Sequence, residues 1–166
     1  MYRKTDDFIK NWRYESESTL KVFKTITNES LDKSFDGEVR KIGRLAWHIT
    51  ITIVEMLGKA GLQVDCAEEH SAVPNTIEEI IKAYTEASAS LLVNVKKQWS
   101  DADLLTEVNM YGENLTKGTV LNILITHQAH HRGQLGILMR LCGLKVPGVY
   151  GPSKEEWAAW NMPAAE

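Results

Sequence analysis

The chain has 166 residues, 43% of them hydrophobic, which is enough to bury one sizeable core without disulfide or metal staples and makes a single domain over 1–166 the expectation. Its 19 basic and 22 acidic residues leave a formal net charge of −3, and the lysines are scattered rather than striped, so no nucleic acid is expected as a partner. No apolar run approaches the about 18 residues of a transmembrane helix. The N-terminus Met1-Tyr2-Arg3-Lys4-Thr5-Asp6-Asp7 lacks the apolar stretch of a secretory signal, so the expectation is a cytoplasmic protein with no membrane partner.

In chain order, apolar spacing predicts four long helices. The first covers roughly Asp6 to Thr27, with Phe8, Ile9, Trp12, Leu20, Phe23 and Ile26 facing inward and Thr5 or Asp6 as its cap. The second covers about Asp36 to Ala60, where Ile42, Leu45, Ala46, Ile49, Ile53, Met56 and Leu57 repeat with helical period, and Gly61 stops it. The polar connection that follows holds Cys66 and His70, the latter read as a solvated loop residue. A third helix opens at Thr76, which has capping-box spacing to Glu79, and runs to about Gln98. Residues Leu105 to Asn114 lack helical periodicity and are read as a short hairpin or a crossover loop before the last helix. That helix runs from about Lys117, capped by Thr116, to Leu141 and ends at Gly143. The tail from Lys145 to Glu166, rich in Pro and Gly, is expected to wrap the bundle and finish in a helical turn that sets Trp157 and Trp160 on one side.

The chemistry concentrates in the last helix. Thr126-His127-Gln128-Ala129-His130-His131-Arg132-Gly133-Gln134-Leu135 carries three of the five histidines. Residues four apart share a helix face with Cβ atoms roughly 5–6 Å apart, close enough for two imidazoles to hold one metal ion. On a helical wheel His127 and His131 flank the inward stripe, while His130 falls on its other flank and competes through its i,i+3 relation to His127; the wheel favours His127 with His131. A catalytic zinc-type site has three protein ligands, and the second helix offers His48, at the edge of its buried stripe beside Thr52 and Glu55. Neither H-E-x-x-H nor the paired Glu-x-x-His of di-iron bundles occurs, which leaves a mononuclear site. Cys142 lies eleven residues beyond His131, about 16 Å along the axis, and cannot share its ligand set. With one other cysteine, Cys66, neither a disulfide nor a catalytic thiol is expected.

Three segments together resemble one family. They are Leu45-Ala46-Trp47-His48-Ile49, Thr126-His127-Gln128-Ala129-His130-His131-Arg132-Gly133-Gln134-Leu135 and the tail Val146-Pro147-Gly148-Val149-Tyr150-Gly151-Pro152-Ser153. The chain resembles, over nearly its whole length, the DinB/YfiT-like metal-dependent proteins. The resemblance implies an all-α, up-down-down-up four-helix bundle with a metal triad at His48, His127 and His131, and His130 as a neighbour. Members of the family include thiol S-transferases that use small-molecule bacterial thiols, along with many proteins of unknown activity, so the resemblance implies a site more firmly than a reaction.

Three neutral imidazoles suit zinc or nickel, with an open position for a thiol or for water. The expected function is therefore a metal-dependent S-transferase acting on a small-molecule thiol and an electrophile. The alternatives are a metal-dependent hydrolase and a non-catalytic, metal-stapled helical dimer or binding module. Gln134 on the ligand face, with Glu55 and Thr52 on the His48 side, are the candidates for orienting or proton-accepting roles. A homodimer is expected from the resemblance and from the aromatic residues of the first helix and tail.

Overall fold

A computed structural model describes residues 1–35, 37–67 and 70–163. Five helices, α1 (Thr5–Phe23), α2 (Asn28–Leu31), α3 (Ile42–Lys59), α4 (Ile77–Gln98) and α5 (Lys117–Leu141), surround one apolar core. A two-stranded hairpin, β1 (Glu107–Met110) and β2 (Glu113–Thr116), precedes α5, and a 3-10 turn at Trp157–Trp160 follows it in the tail.

Contacts across the bundle fix the direction of each long helix. Thr5 at the start of α1 bonds Asp101, just past the end of α4, while Asn28 beyond the other end of α1 accepts from the Ile77 amide at the start of α4. These two helices are antiparallel. Tyr2 reaches Gly118 at the start of α5, and Glu15 and Thr19 meet Arg132 farther along it, so α1 and α5 run together. Helix α3 opposes α5, since its first turns meet the second half of α5 at His48 and His131, and Glu55 near its end meets the hairpin that leads into α5. The order is up-down-down-up. Helices α1 and α3 each pack against both α4 and α5.

Local chemistry explains most of the boundaries. Thr76 accepts from the Glu79 amide while the Glu79 carboxylate accepts from the Thr76 amide, closing the capping box that starts α4. At the end of α3, Gly61 adopts φ +81°, its amide bonds Gly58 O, and the Leu62 amide returns to Leu57 O. Gly143 ends α5 in the same way, with bonds from Gly143 to Arg140 and from Leu144 to Met139; both are Schellman closures. The hairpin turns on Tyr111 and Gly112, both with positive φ, the geometry of a tight I′ turn that matches strand twist.

Two expectations shift and one choice is made. The first helix ends at Phe23 rather than Thr27, because Thr27 caps the separate turn α2 in a reciprocal arrangement with Ser30. The second long helix begins at Ile42: residues 37–41 form a turn and an extended approach, and the expected start at Asp36 lies outside the described residues. Before the last helix the chain forms the short hairpin, the first of the two readings of that segment.

Of the expected inward positions on α1 and just after it, Phe8, Trp12, Phe23 and Ile26 are buried, while Ile9 and Leu20 are partly covered. Buried polar groups lock the registers. Trp12 donates Nε1–H to Ser88 across α1 and α4. Gln128 accepts from Tyr84 on α4 and donates to the Ile49 carbonyl on α3, which ties three helices together beside His48 and His127. Its amide thus has partners for both ends, as a buried amide must. The tail lies back on the bundle through Tyr14 OH to Val149 O, Lys21 to Gly148 O, and an Arg140–Glu155 ion pair. No helix among the described residues is long and apolar enough to cross a membrane.

Candidate metal centre

His48 projects from α3, and His127 and His131 from one face of α5. Their Nε2 atoms converge: His131 Nε2 lies 3.1 Å from His48 Nε2 and 3.1 Å from His127 Nε2. The ring centroids are 4.3–5.1 Å apart. Among the described residues this is the one group of three or more His, Cys, Asp or Glu side chains close enough to share an ion.

Three ring nitrogens facing one another cannot all be satisfied by hydrogen bonds among themselves. Three ligands of a tetrahedral ion at 2.0–2.1 Å would lie about 3.3 Å apart, so the cluster has the dimensions of a half-built coordination sphere. The donor set and spacing fit a divalent transition ion.

The protonation states agree with that use. Burial lowers the pKa of both His48 and His127 to about 4, and the neighbouring imidazoles push in the same direction. For His127, Glu55 pulls weakly the other way. Burial also lowers His131, opposed by its hydrogen bond to Gln134. At neutral pH all three are uncharged, the form that ligates.

Gln134 settles the tautomer of His131. Its Oε1 lies 2.8 Å from His131 Nδ1 and accepts from it, which leaves the lone pair on Nε2 aimed into the cluster. The Gln134 Nε2 donates to His130 Nε2 at 3.0 Å, so one amide couples the exposed His130 to a member of the triad without bringing His130 into it. His127 Nδ1 is buried without a hydrogen-bond partner, so packing alone orients that ring.

The remaining sequence candidates for supporting roles are held by bonds of their own. The Thr52 hydroxyl is buried and donates to the His48 and Ile49 carbonyls, bracing the helix under His48. Glu55 accepts a 2.6 Å bond from the Tyr111 hydroxyl at the hairpin tip, which ties the hairpin to α3. His70 is an exposed turn residue. Cys66 and Cys142 are both free; Cys66 packs near Ala83 of α4, where burial raises its pKa, and Cys142 forms the C-cap of α5. A cleft of about 550 Å³ opens beside the triad, lined by Glu38, Val39, Arg40, Leu45, His130, His131, Gln134, Ile137 and Leu138.

One polar group escaped the sequence reading. Arg132, next to His131 but turned about 100° around the helix, enters a buried network with α1. Its guanidinium bonds Glu15 Oε2 at 2.6 Å, the Glu15 carbonyl at 3.1 Å and Thr19 Oγ1 at 3.0 Å, and Tyr150 of the tail places its hydroxyl on the same carboxylate at 2.8 Å. A signal was present: Glu15 and Thr19 lie on the stripe of Phe8, Trp12 and Phe23.

Fold and site define a class: an up-down-down-up helical bundle with three histidines from two helices gathered on one point. The DinB family model matches residues 1–162. An uncharacterized protein of Bacillus subtilis strain 168, YrdA, is 37% identical over 164 residues, covering 99% of this chain and 98% of that one. The crystal structure of a DinB-like protein from Bacillus cereus superposes with a TM-score of 0.86 at 36% identity, over 90% of this chain and all of the other. A DinB-like protein from Bacillus subtilis, YjoA, shares the fold at 18% identity and a TM-score of 0.68, over 86% of this chain and 96% of that one. The chain belongs to the DinB family.

Proposed function

We propose that the protein is a metal-dependent S-transferase, in which His48, His127 and His131 hold a zinc or nickel ion and a small-molecule thiol attacks an electrophile in the adjoining cleft. The observation that supports this reading is the open, three-nitrogen cluster: no fourth His, Cys, Asp or Glu among the described residues closes it. When bound, the ion would hold a thiol in its nucleophilic thiolate form at neutral pH.

The chain's own residues supply the rest. The neutral imidazoles donate their Nε2 lone pairs, and Gln134 keeps His131 from rotating or changing tautomer. Leu45, Ile137 and Leu138 give the cleft an apolar lining that lowers competition from water. In the transfer, the thiol loses its proton to solvent, sulfur forms a bond to an electrophilic carbon, and the leaving group departs with the electron pair of the broken bond.

A hydrolase would need a group to take a proton from attacking water. Glu55, the nearest candidate from the sequence, has one carboxylate oxygen engaged by the Tyr111 hydroxyl, so the base role would compete with the tie that holds the hairpin. A closed, purely structural staple is disfavoured by the missing fourth ligand. Exposed Tyr14, Tyr150 and Trp160 support the homodimer that forms part of this proposal, with a cytoplasmic location.

The test is to incubate zinc- and nickel-loaded protein with thiols and alkyl halide or epoxide electrophiles and to follow loss of free thiol with mass detection of the thioether. Metal-dependent thioether formation that disappears in His131→Ala is expected. Ester hydrolysis by the loaded protein, without thioether from any thiol, would replace the transferase reading with the hydrolase one.

A further inference from the structure

The cleft beside the triad is apolar along Val39, Leu45, Ile137 and Leu138 but carries one guanidinium, Arg40, on the approach to α3. Arg40 is exposed and forms no ion pair or hydrogen bond with any described residue, although Glu38 lines the same cleft. Arg40 lines the same cleft as His131, one of the three ligand histidines, which sets its charge beside the cluster. With the imidazoles neutral and a divalent ion bound, the charges of the cluster and Arg40 outweigh the single carboxylate of Glu38 and leave the cleft positive, a complement for an anion. A guanidinium presents a planar fork of donors that matches a carboxylate and favours it over a point-like anion. The volume, about 550 Å³, suits a ligand larger than a bare thiol.

Building on the thiol reading above, we propose that the thiol is itself a carboxylate: its carboxylate rests on Arg40, its apolar body lies along Val39, Leu45, Ile137 and Leu138, and its sulfur is directed at the three histidines. Arg40 is then the residue that selects anionic over neutral thiols. Without a partner among the described residues, the guanidinium keeps its donors for the ligand.

The test uses the full chain loaded with cobalt, whose thiolate complexes absorb in the near ultraviolet. Two acids of different reach, 3-mercaptopropionate and 6-mercaptohexanoate, are titrated beside their neutral primary amides. The acid binds about tenfold more tightly than its amide at one or both lengths, a preference of the size expected for one charge-assisted contact, and high salt reduces it. Arg40→Gln abolishes the preference and leaves amide binding unchanged; Arg40→Lys keeps part of it. Equal binding of acid and amide at both lengths, a preference that survives Arg40→Gln, or an equal loss for acid and amide would each overturn the assignment. Should no thiol of either kind produce sulfur-to-cobalt absorption while cobalt stays bound at one per chain, the thiol reading itself falls, and this inference with it.

Discussion

Gln134 is the side chain on which the chemistry of His131 turns, because a single amide oxygen decides which ring nitrogen carries the proton. Removing such a partner of a ligating histidine typically costs 10–100-fold in metal affinity. Gln134→Ala is expected to weaken zinc binding by roughly that factor in a chelator competition, with the helical signal unchanged. Unaltered affinity would show that packing alone holds His131. The same residues make the metal-free protein sensitive to acid. In the folded state His48 and His127 titrate at about 4, whereas the unfolded chain takes up those protons near 6.5, so the unfolded state binds more protons between the two values. Their contribution to stability is complete above pH 6.5 and is lost as the pH falls toward 4. Melting temperatures of chelator-treated protein should drop across that window more steeply than those of the His48→Ala, His127→Ala double variant; equal slopes would contradict the assignment.

Between elements, the Arg132–Glu15 pair joins α5 to α1 directly beside the ligand helix face, and Tyr150 brings the tail onto it. Both partners are buried, so deleting one leaves the other charge uncompensated, which typically costs about 3–5 kcal/mol. Arg132→Ala should lower the denaturant midpoint accordingly, and Tyr150→Phe should lower it far less, since it leaves the ion pair intact. A loss below about 1 kcal/mol for Arg132→Ala would place the pair among weakly coupled surface bridges instead. This is also the scale at which the sequence was least readable. Helical period and the capping signals at Thr76, Gly61 and Gly143 gave α4, the end of α3 and the end of α5 because those boundaries are decided by a few neighbouring residues. The one-turn α2 and the late start of α3 were missed because no long apolar period marks a four-residue helix or the turn after it. The hairpin stayed open between two readings, since its turn dipeptide Tyr111-Gly112 is a weaker signal than Asn-Gly. Glu15 and Arg132 could not be paired from one sequence: 117 positions separate them, and only the packing of α1 on α5 brings them together.

For the whole molecule, the site is a consequence of the topology. His48 and the His127/His131 pair meet because α3 runs antiparallel to α5, and Gln128, bonded to both α3 and α4, fixes the height at which the two helices face each other. The i,i+4 spacing of His127 and His131 was legible from the sequence, as was the need for a third ligand. The choice of His48 over His70 followed from its place on an amphipathic helix rather than in a polar connection. The cleft, the place of Arg40 in its wall and the tie of Gln134 to both His131 and His130 required the fold. The central claim is that these three histidines form one metal centre, and elemental analysis of untagged protein beside His48→Ala and His127→Ala tests it most directly. About one transition metal ion per chain in the wild type, lost in each variant, is the expected result. A wild-type protein that stays empty after incubation with zinc and with nickel, or a His48→Ala variant that keeps its full metal content, would contradict it.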